Sequence, residues 1–199
     1  MTKTLSNCYS CRFSPLNNIT AGHDLAILLL SQPVVFSPRV WPVCLPSPAD
    51  SPLITENMKL TTAGFGVREI TDTDRIYAEI INEATVSVTN QESCRKSWSF
   101  DGDQICAKGR VSDLRDVTIP DACSGDSGGG LTAQRFDDNF VLLGLVSFGE
   151  RDCGTRDGRP GVYTNILSHI SWYWSMMVMM KELQGMLSQD QVSDREAGD

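Results

Sequence analysis

No run in this 199-residue sequence reaches transmembrane length; the longest apolar stretch, "LAILLL" at residues 25–30, fits a buried strand. Basic residues are too few to set the charge. Lys and Arg total 17 against 25 Asp and Glu, giving a formal charge of −8 and a pI near 4.7. Duplex nucleic acid and anionic lipid select basic surfaces, so neither is an expected partner, and no membrane association is expected. There is no internal repeat and no low-complexity tract. Histidine occurs only twice, at His23 and His169. Cys8 and Cys11 have a C-x-x-C spacing, but redox or zinc chemistry would need a second pair or a βαβ setting. No metal and no cofactor are expected.

Cysteine, by contrast, is abundant. Seven in a chain of this size point to disulfides and an oxidising, extracellular compartment, and the odd count leaves at least one thiol without an internal partner. The opening "MTKTLSNCYSCRF" has no apolar run of signal-peptide length. The expectation is therefore a secreted protein that has been processed or is incompletely represented. A hydrophobic content of 41% and a mean hydropathy of −0.17 suit a globular domain, and the length suits one domain with a sizeable core.

Along the chain, residues 1–23 read as polar and irregular, with a glycosylation sequon at Asn18. "DLAILLL" from Asp24 reads as a strand buried on both faces. The proline-rich "SQPVVFSPRVWPVCLPSP" reads as an extended surface connector. "KLTTAGFG", "YAEIINEATVSVT", "QICAKG", "GGGLTAQ", "FVLLGLVSFG" and "GVYTNI" are short β-rich segments separated by Gly, Asp and Pro, the signature of a closed β-barrel. "TNQESCRKSW" suits a short helix. A C-terminal helix is expected from Ser168 to about Leu187, followed by an acidic, disordered tail.

The stretch "DACSGDSGGG", residues 121–130, sets Ser127 among glycines and carboxylates. Glycine allows backbone conformations closed to other residues, and such a turn can aim successive N–H groups into one concavity, which suits a developing negative charge. The plainer alternative is a Gly-rich turn with an exposed serine. A working nucleophile would also need a base and a group to orient it.

Residues 125–129 match the Gly-Asp-Ser-Gly-Gly nucleophile motif of the trypsin-like (chymotrypsin-fold) serine proteases. "DLAILLL", "WPVCLP", "VLLGLVSFG" and "RPGVYTNI" resemble further landmarks of that family in its order, so the resemblance runs from about Ala21 to Met176. It implies an all-β fold: a chymotrypsin-like antiparallel barrel with the second barrel essentially complete, the first mostly missing, and a C-terminal helix. The implied organisation is an irregular segment over 1–23, a partial protease domain over 24–180, and a helix end and tail over 181–199.

The resemblance also implies roles. Ser127 is the nucleophile, and the N–H groups of Gly125 and Ser127 form the oxyanion hole. Asp24 orients a histidine, and the Ser147 hydroxyl lies near that aspartate. Asp126 is the activation-switch carboxylate that pairs with a new α-ammonium. Asp121 lies on the floor of the substrate pocket, with Gly149 and Gly161 on its walls, implying cleavage after Arg or Lys. Pro160 departs from the tyrosine of sodium-activated relatives, so no sodium site is implied. Cys94–Cys106 and Cys123–Cys153 match two family disulfides. A third is missing at both ends, where Leu60 and Ala133 stand. Cys44 matches a cysteine that ties many relatives to a pro-region. The implied partners are protein or peptide substrates and protease inhibitors. Residues 67–77 and 111–121 are expected to tune substrate choice.

The family's Ala-Ala-His-Cys and Ile-Val-Gly-Gly motifs do not occur in the 199 residues. His23 adjoins Asp24, and successive side chains of extended chain point to opposite faces. His169 falls in the expected C-terminal helix. Neither is expected to serve as the base, so the chain on its own is expected to be inactive, as a fragment of an ordinary member. The alternative is a non-catalytic secreted binding or regulatory homologue.

Overall fold

Six short strands close on themselves around one apolar core. The computed structural model describes residues 8–13, 22–71, 73–100, 102–110 and 119–196, with side chains described over 22–71, 73–100, 102–110 and 119–182. The barrel strands are β3 (Lys59–Gly64), β6 (Asn82–Val88), β7 (Gln104–Gly109), β8 (Gly130–Gln134), β9 (Phe140–Phe148) and β10 (Gly161–Asn165), in the closed order β10-β7-β6-β3-β8-β9. Every neighbouring pair is antiparallel. Each of the six β-rich segments in the sequence supplies one of these strands.

Alternation puts one face of each strand inward. Leu60, Val86, Ile105, Leu131, Val141, Leu143 and Tyr163 form a fully buried cluster. Leu60 and Ala133, at the positions of the missing third bridge, belong to the same cluster, so apolar packing occupies that place. Cys94 and Cys106 are bonded, as are Cys123 and Cys153. The first joins helix α1 (Gln91–Trp98) to β7. Asn90 caps α1, its side chain accepting from the Ser93 amide at 2.9 Å.

Outside the barrel lie two small sheets. β4 (Val67–Ile70) pairs with β5 (Arg75–Tyr77). β1 (Cys8–Phe13) pairs with β2 (Ala26–Leu30). Residues 8–13 were expected to be irregular; they form a strand because β2 offers a free edge for pairing. β2 itself is not buried on both faces: it alternates, with Leu28 45% and Leu30 51% exposed. Among the described residues there is one closed barrel and no second.

Asp50 links the connector to the barrel. It sits in a short 3₁₀ helix (Pro48–Ile54) and accepts from the Ser47 amide at 2.8 Å. Arg135, just after β8, donates to its two carboxylate oxygens at 2.7 and 2.6 Å. The Arg135 guanidinium holds the Asp50 carboxyl down at about 2, against the opposing effect of burial. A carboxylate with a depressed folded pKa stabilises fully above its unfolded value and loses that contribution as pH falls through the folded one. Asp50→Ala is therefore expected to cost about 2–3 kcal/mol at pH 7. Urea unfolding should show that cost fading between pH 4 and pH 2; a cost independent of pH would refute the ion pair's role.

The chain divides after Leu167 into two units. The second, from Ser168, is helical: α2 (Ile166–Glu196) runs through the segment expected to be a disordered tail. No proline interrupts it, and good helix formers such as Met, Leu, Gln and Glu recur along it. No described helix is long and apolar enough to cross a membrane. The Asn18 sequon, the thiols of Cys8 and Cys11, and residues 111–118 of the substrate-tuning segment lie outside the described residues.

Candidate active site

The Ser127 turn is laced to the barrel by its backbone. Gly128 N–H donates to the Val146 carbonyl (2.8 Å) and Val146 N–H to the Gly129 carbonyl (2.9 Å), fixing the turn against β9. Gly125 has φ +99°, and a Cβ there would lie 3.1 Å from both the Gly66 Cα and the Tyr77 ring, so conformation and space both require glycine. Ser127 itself is exposed. Among the described residues, neither the Gly125 nor the Ser127 amide donates a hydrogen bond.

Asp24 is fixed from two adjacent strands. The Ser147 hydroxyl on β9 donates to its carboxylate at 2.7 Å, and the Thr164 hydroxyl on β10 donates to its backbone carbonyl at 2.8 Å. The Asp126 carboxylate accepts from the Gly66 amide (2.8 Å) and from the Cys123 amide (2.9 Å). A Cβ at Gly66 would come within 2.5 Å of that carboxylate, so the loop before β4 is shaped around it.

A cleft of about 290 Å³ brings together Ser127, Ser147, Gly149 and Gly161. Asp121 does not line it. It lies behind the cleft, in a void of about 10 Å³ whose walls also include Gly149 and Gly161. A Cβ on Gly161 would lie 3.6 Å from its carboxylate. Burial pushes the Asp121 carboxyl up to about 6, against the lowering effects of the Ala122 amide (2.9 Å) and of Lys108. Asp121 also borders, with Asp126, a cavity of about 600 Å³ on its other side.

Three features escaped the reading of the sequence. Tyr163 lines the cleft, and its buried hydroxyl has no hydrogen-bond partner among the described residues. Burial and the nearby Asp121 and Asp126 push its ionisation up. The signal was present, because Tyr163 is two residues from Gly161 on one strand and so shares its face. Glu150 forms part of the wall and is gripped by Arg159 (3.0 Å), whose guanidinium stacks on Trp98 at 3.6 Å from the ring centre. That contact holds the Glu150 carboxyl below the ordinary range. Arg75 reaches the cleft rim from β5. Such pairings join distant residues and leave no local pattern.

Cys44 is half-buried and carries a free thiol. Its backbone pairs with β9, accepting from Leu142 N–H at 2.9 Å and donating to the Phe140 carbonyl at 3.0 Å. Among the described residues no cluster of His, Cys, Asp and Glu is suited to a metal ion.

The model of one family, described as Trypsin, matches residues 7–173. The chain belongs to the trypsin family. Its barrel is that of a chymotrypsin-like fold, and the match takes in β1, within the segment read from the sequence as preceding the domain. Among its trypsin-family relatives, phenoloxidase-activating factor 1 of Holotrichia diomphalia is 37% identical over 155 residues, 75% of this chain and 38% of that protein. CLIP domain-containing serine protease B10 of Anopheles gambiae is 38% identical over 153 residues, again 75% and 38%. Coagulation factor XI of Bos taurus is 31% identical over 155 residues, 76% of this chain and 23% of that protein. The chain thus spans little more than a third of the length of the first two. As a trypsin-family chain it is a serine-protease homologue with a hydrolase ancestry.

Proposed function

We propose that this chain carries the nucleophile and substrate pocket of a secreted serine endopeptidase that cleaves peptide bonds after Arg or Lys. The observation that carries the reading is the single cleft shared by Ser127 and Ser147, with Ser147 hydrogen-bonded to Asp24 at 2.7 Å. In this mechanism Ser127 Oγ attacks the scissile carbonyl. The amides of Gly125 and Ser127 donate to the oxygen as it becomes negative. An imidazole held by Asp24 takes the serine proton and returns it to the leaving amine. Asp121, reached past Gly149 and Gly161, pairs with the substrate's cationic side chain. Asp126 is assigned the switch role: a new α-ammonium would compete for the carboxylate now bonded to Gly66 and Cys123.

Neither His23 nor His169 is assigned as the imidazole, so the 199-residue chain alone is proposed to be inert towards peptide bonds. The two disulfides support an exported protein. Protein substrates, protease inhibitors and a pro-region bonded through Cys44 are the proposed partners.

Fluorophosphonate labelling with mass mapping tests this. The endogenous protein is expected to label at Ser127 and to cleave Arg p-nitroanilide peptides, and Ser127→Ala to do neither. The 199-residue chain should label at least about 10⁴-fold more slowly. An endogenous protein that stays unlabelled would favour the non-catalytic homologue, and rapid labelling of the isolated chain would overturn the assignment of the base.

A further inference from the structure

Among the described residues, the β4–β5 hairpin forms hydrogen-bonded strand pairs only within itself. Its place beside the barrel is therefore set by contacts other than a shared ladder. Several of these converge on the Ser127 turn. Val67 N–H donates to the Ser124 carbonyl at 2.9 Å, Gly66 N–H to Asp126 at 2.8 Å, and the Tyr77 ring abuts Gly125.

Arg75, the first residue of β5, does something different, because it reaches both rims of the cleft. One guanidinium nitrogen donates to the Ser124 hydroxyl at 2.9 Å. The other donates to the Arg151 carbonyl at 3.0 Å and lies 3.6 Å from the Asp152 carboxylate. Ser124 and Arg151 both line the cleft, from two separate segments of the chain. The same two rims are joined covalently nearby, by Cys123, just before Ser124, and Cys153, two residues after Arg151.

We propose that Arg75 is a positioning residue that couples the β4–β5 hairpin to both rims of the Ser127 cleft. Its part in catalysis rests on the function proposed above; its part in holding the rims does not. The contacts rank clearly. Asp152 is 74% exposed, so that ion pair contributes little. The bonds to Ser124 and Arg151 involve an Arg75 side chain only 25% exposed and a planar fork that can address two acceptors at once. A lysine ammonium carries three donors on one nitrogen and cannot span both rims in that way. Ser124 precedes Gly125, so the first bond fixes the approach to one amide of the oxyanion site. Arg151 ends the wall that begins at Gly149, so the second fixes the width of the cleft. A partner that displaces the hairpin, or a cut within it, would release both rims together.

Amide hydrogen exchange on the full chain, read without any substrate, tests the coupling. Arg75→Ala should speed exchange about tenfold over residues 123–128 and 149–153, leaving β8 and β9 unchanged. Arg75→Lys, able to keep one rim, should give a smaller rise confined to one segment. Ser124→Ala, which leaves the hairpin intact, should loosen only residues 123–128. Rims unchanged in both Arg75→Ala and Ser124→Ala, or a rise spread evenly over the barrel, would overturn the proposal. Loosened rims in a protein whose endogenous form never labels with fluorophosphonate would sink the catalytic reading and leave the coupling standing.

Discussion

Asp121→Asn is expected to weaken binding of 4-aminobenzamidine to the chain by about 10²- to 10³-fold, the effect of removing one partner from a buried charge pair. A carboxyl pushed up to about 6 is partly neutral at mildly acidic pH, and only its ionised form attracts a cation. The ionised fraction rises about tenfold between pH 5 and pH 7, so wild-type affinity should rise by the same factor and then level off. Stability carries the opposite sign. The folded pKa lies above the ordinary 3.8, so the folded state holds more protons in that window, and the unliganded chain loses stability as pH rises from about 4 to about 6. Lys108 acts on this carboxyl, and Glu150 and Asp152 share its void. Asp121→Asn should flatten both profiles. Fluorescence titration with the amidine measures the first and urea unfolding the second. Unchanged affinity in the variant would remove Asp121 from the pocket.

Gly109→Ala should be the most destabilising single substitution among those considered, at about 3 kcal/mol. Gly109 is buried at the end of β7, in register with Val86. A Cβ there would overlap the Pro120 carbonyl oxygen and lie 2.8 Å from its carbon. Both sides of this contact are backbone, so no rotamer change relieves it. The cheapest escape moves Pro120, and Asp121 moves with it. A shift in the urea midpoint at constant slope should therefore come with weaker amidine binding. A loss of stability under about 0.5 kcal/mol would show that the segment yields freely.

The barrel was legible because its strands carry their own pattern. Apolar alternation and Gly or Asp punctuation in "GGGLTAQ" and "GVYTNI" correspond to β8 and β10. What misled was context. "LAILLL" looks doubly buried because a continuous apolar run does not say which neighbours are present, and among the described residues β2 pairs on one edge only, with β1. The far end of α2 looked disordered because polar residues suit a solvated helix as well as an unstructured tail. The Ser127 turn was legible for a similar reason to the strands, since its glycines, serine and carboxylates lie within ten residues. The Gly66 partner of Asp126 was not, because it is 60 residues away and donates through its backbone, which any residue but proline could do.

The strand that seals the barrel is β10, which bonds to β7 on one edge and β9 on the other. It is also the last strand in the chain, and it carries Gly161, Tyr163 and Thr164. Contacts between such distant segments form late, because loop closure must come before any reward from pairing. A polypeptide emerging from the ribosome thus exposes the Ser127 turn well before the opposite wall exists. Until Asn165 has been synthesised and β10 has docked, Asp24 lacks its bond from Thr164, and the cleft beside Ser127 lacks Gly161 and Tyr163. The cleft therefore gains its Gly161 side only when β10 docks between β7 and β9.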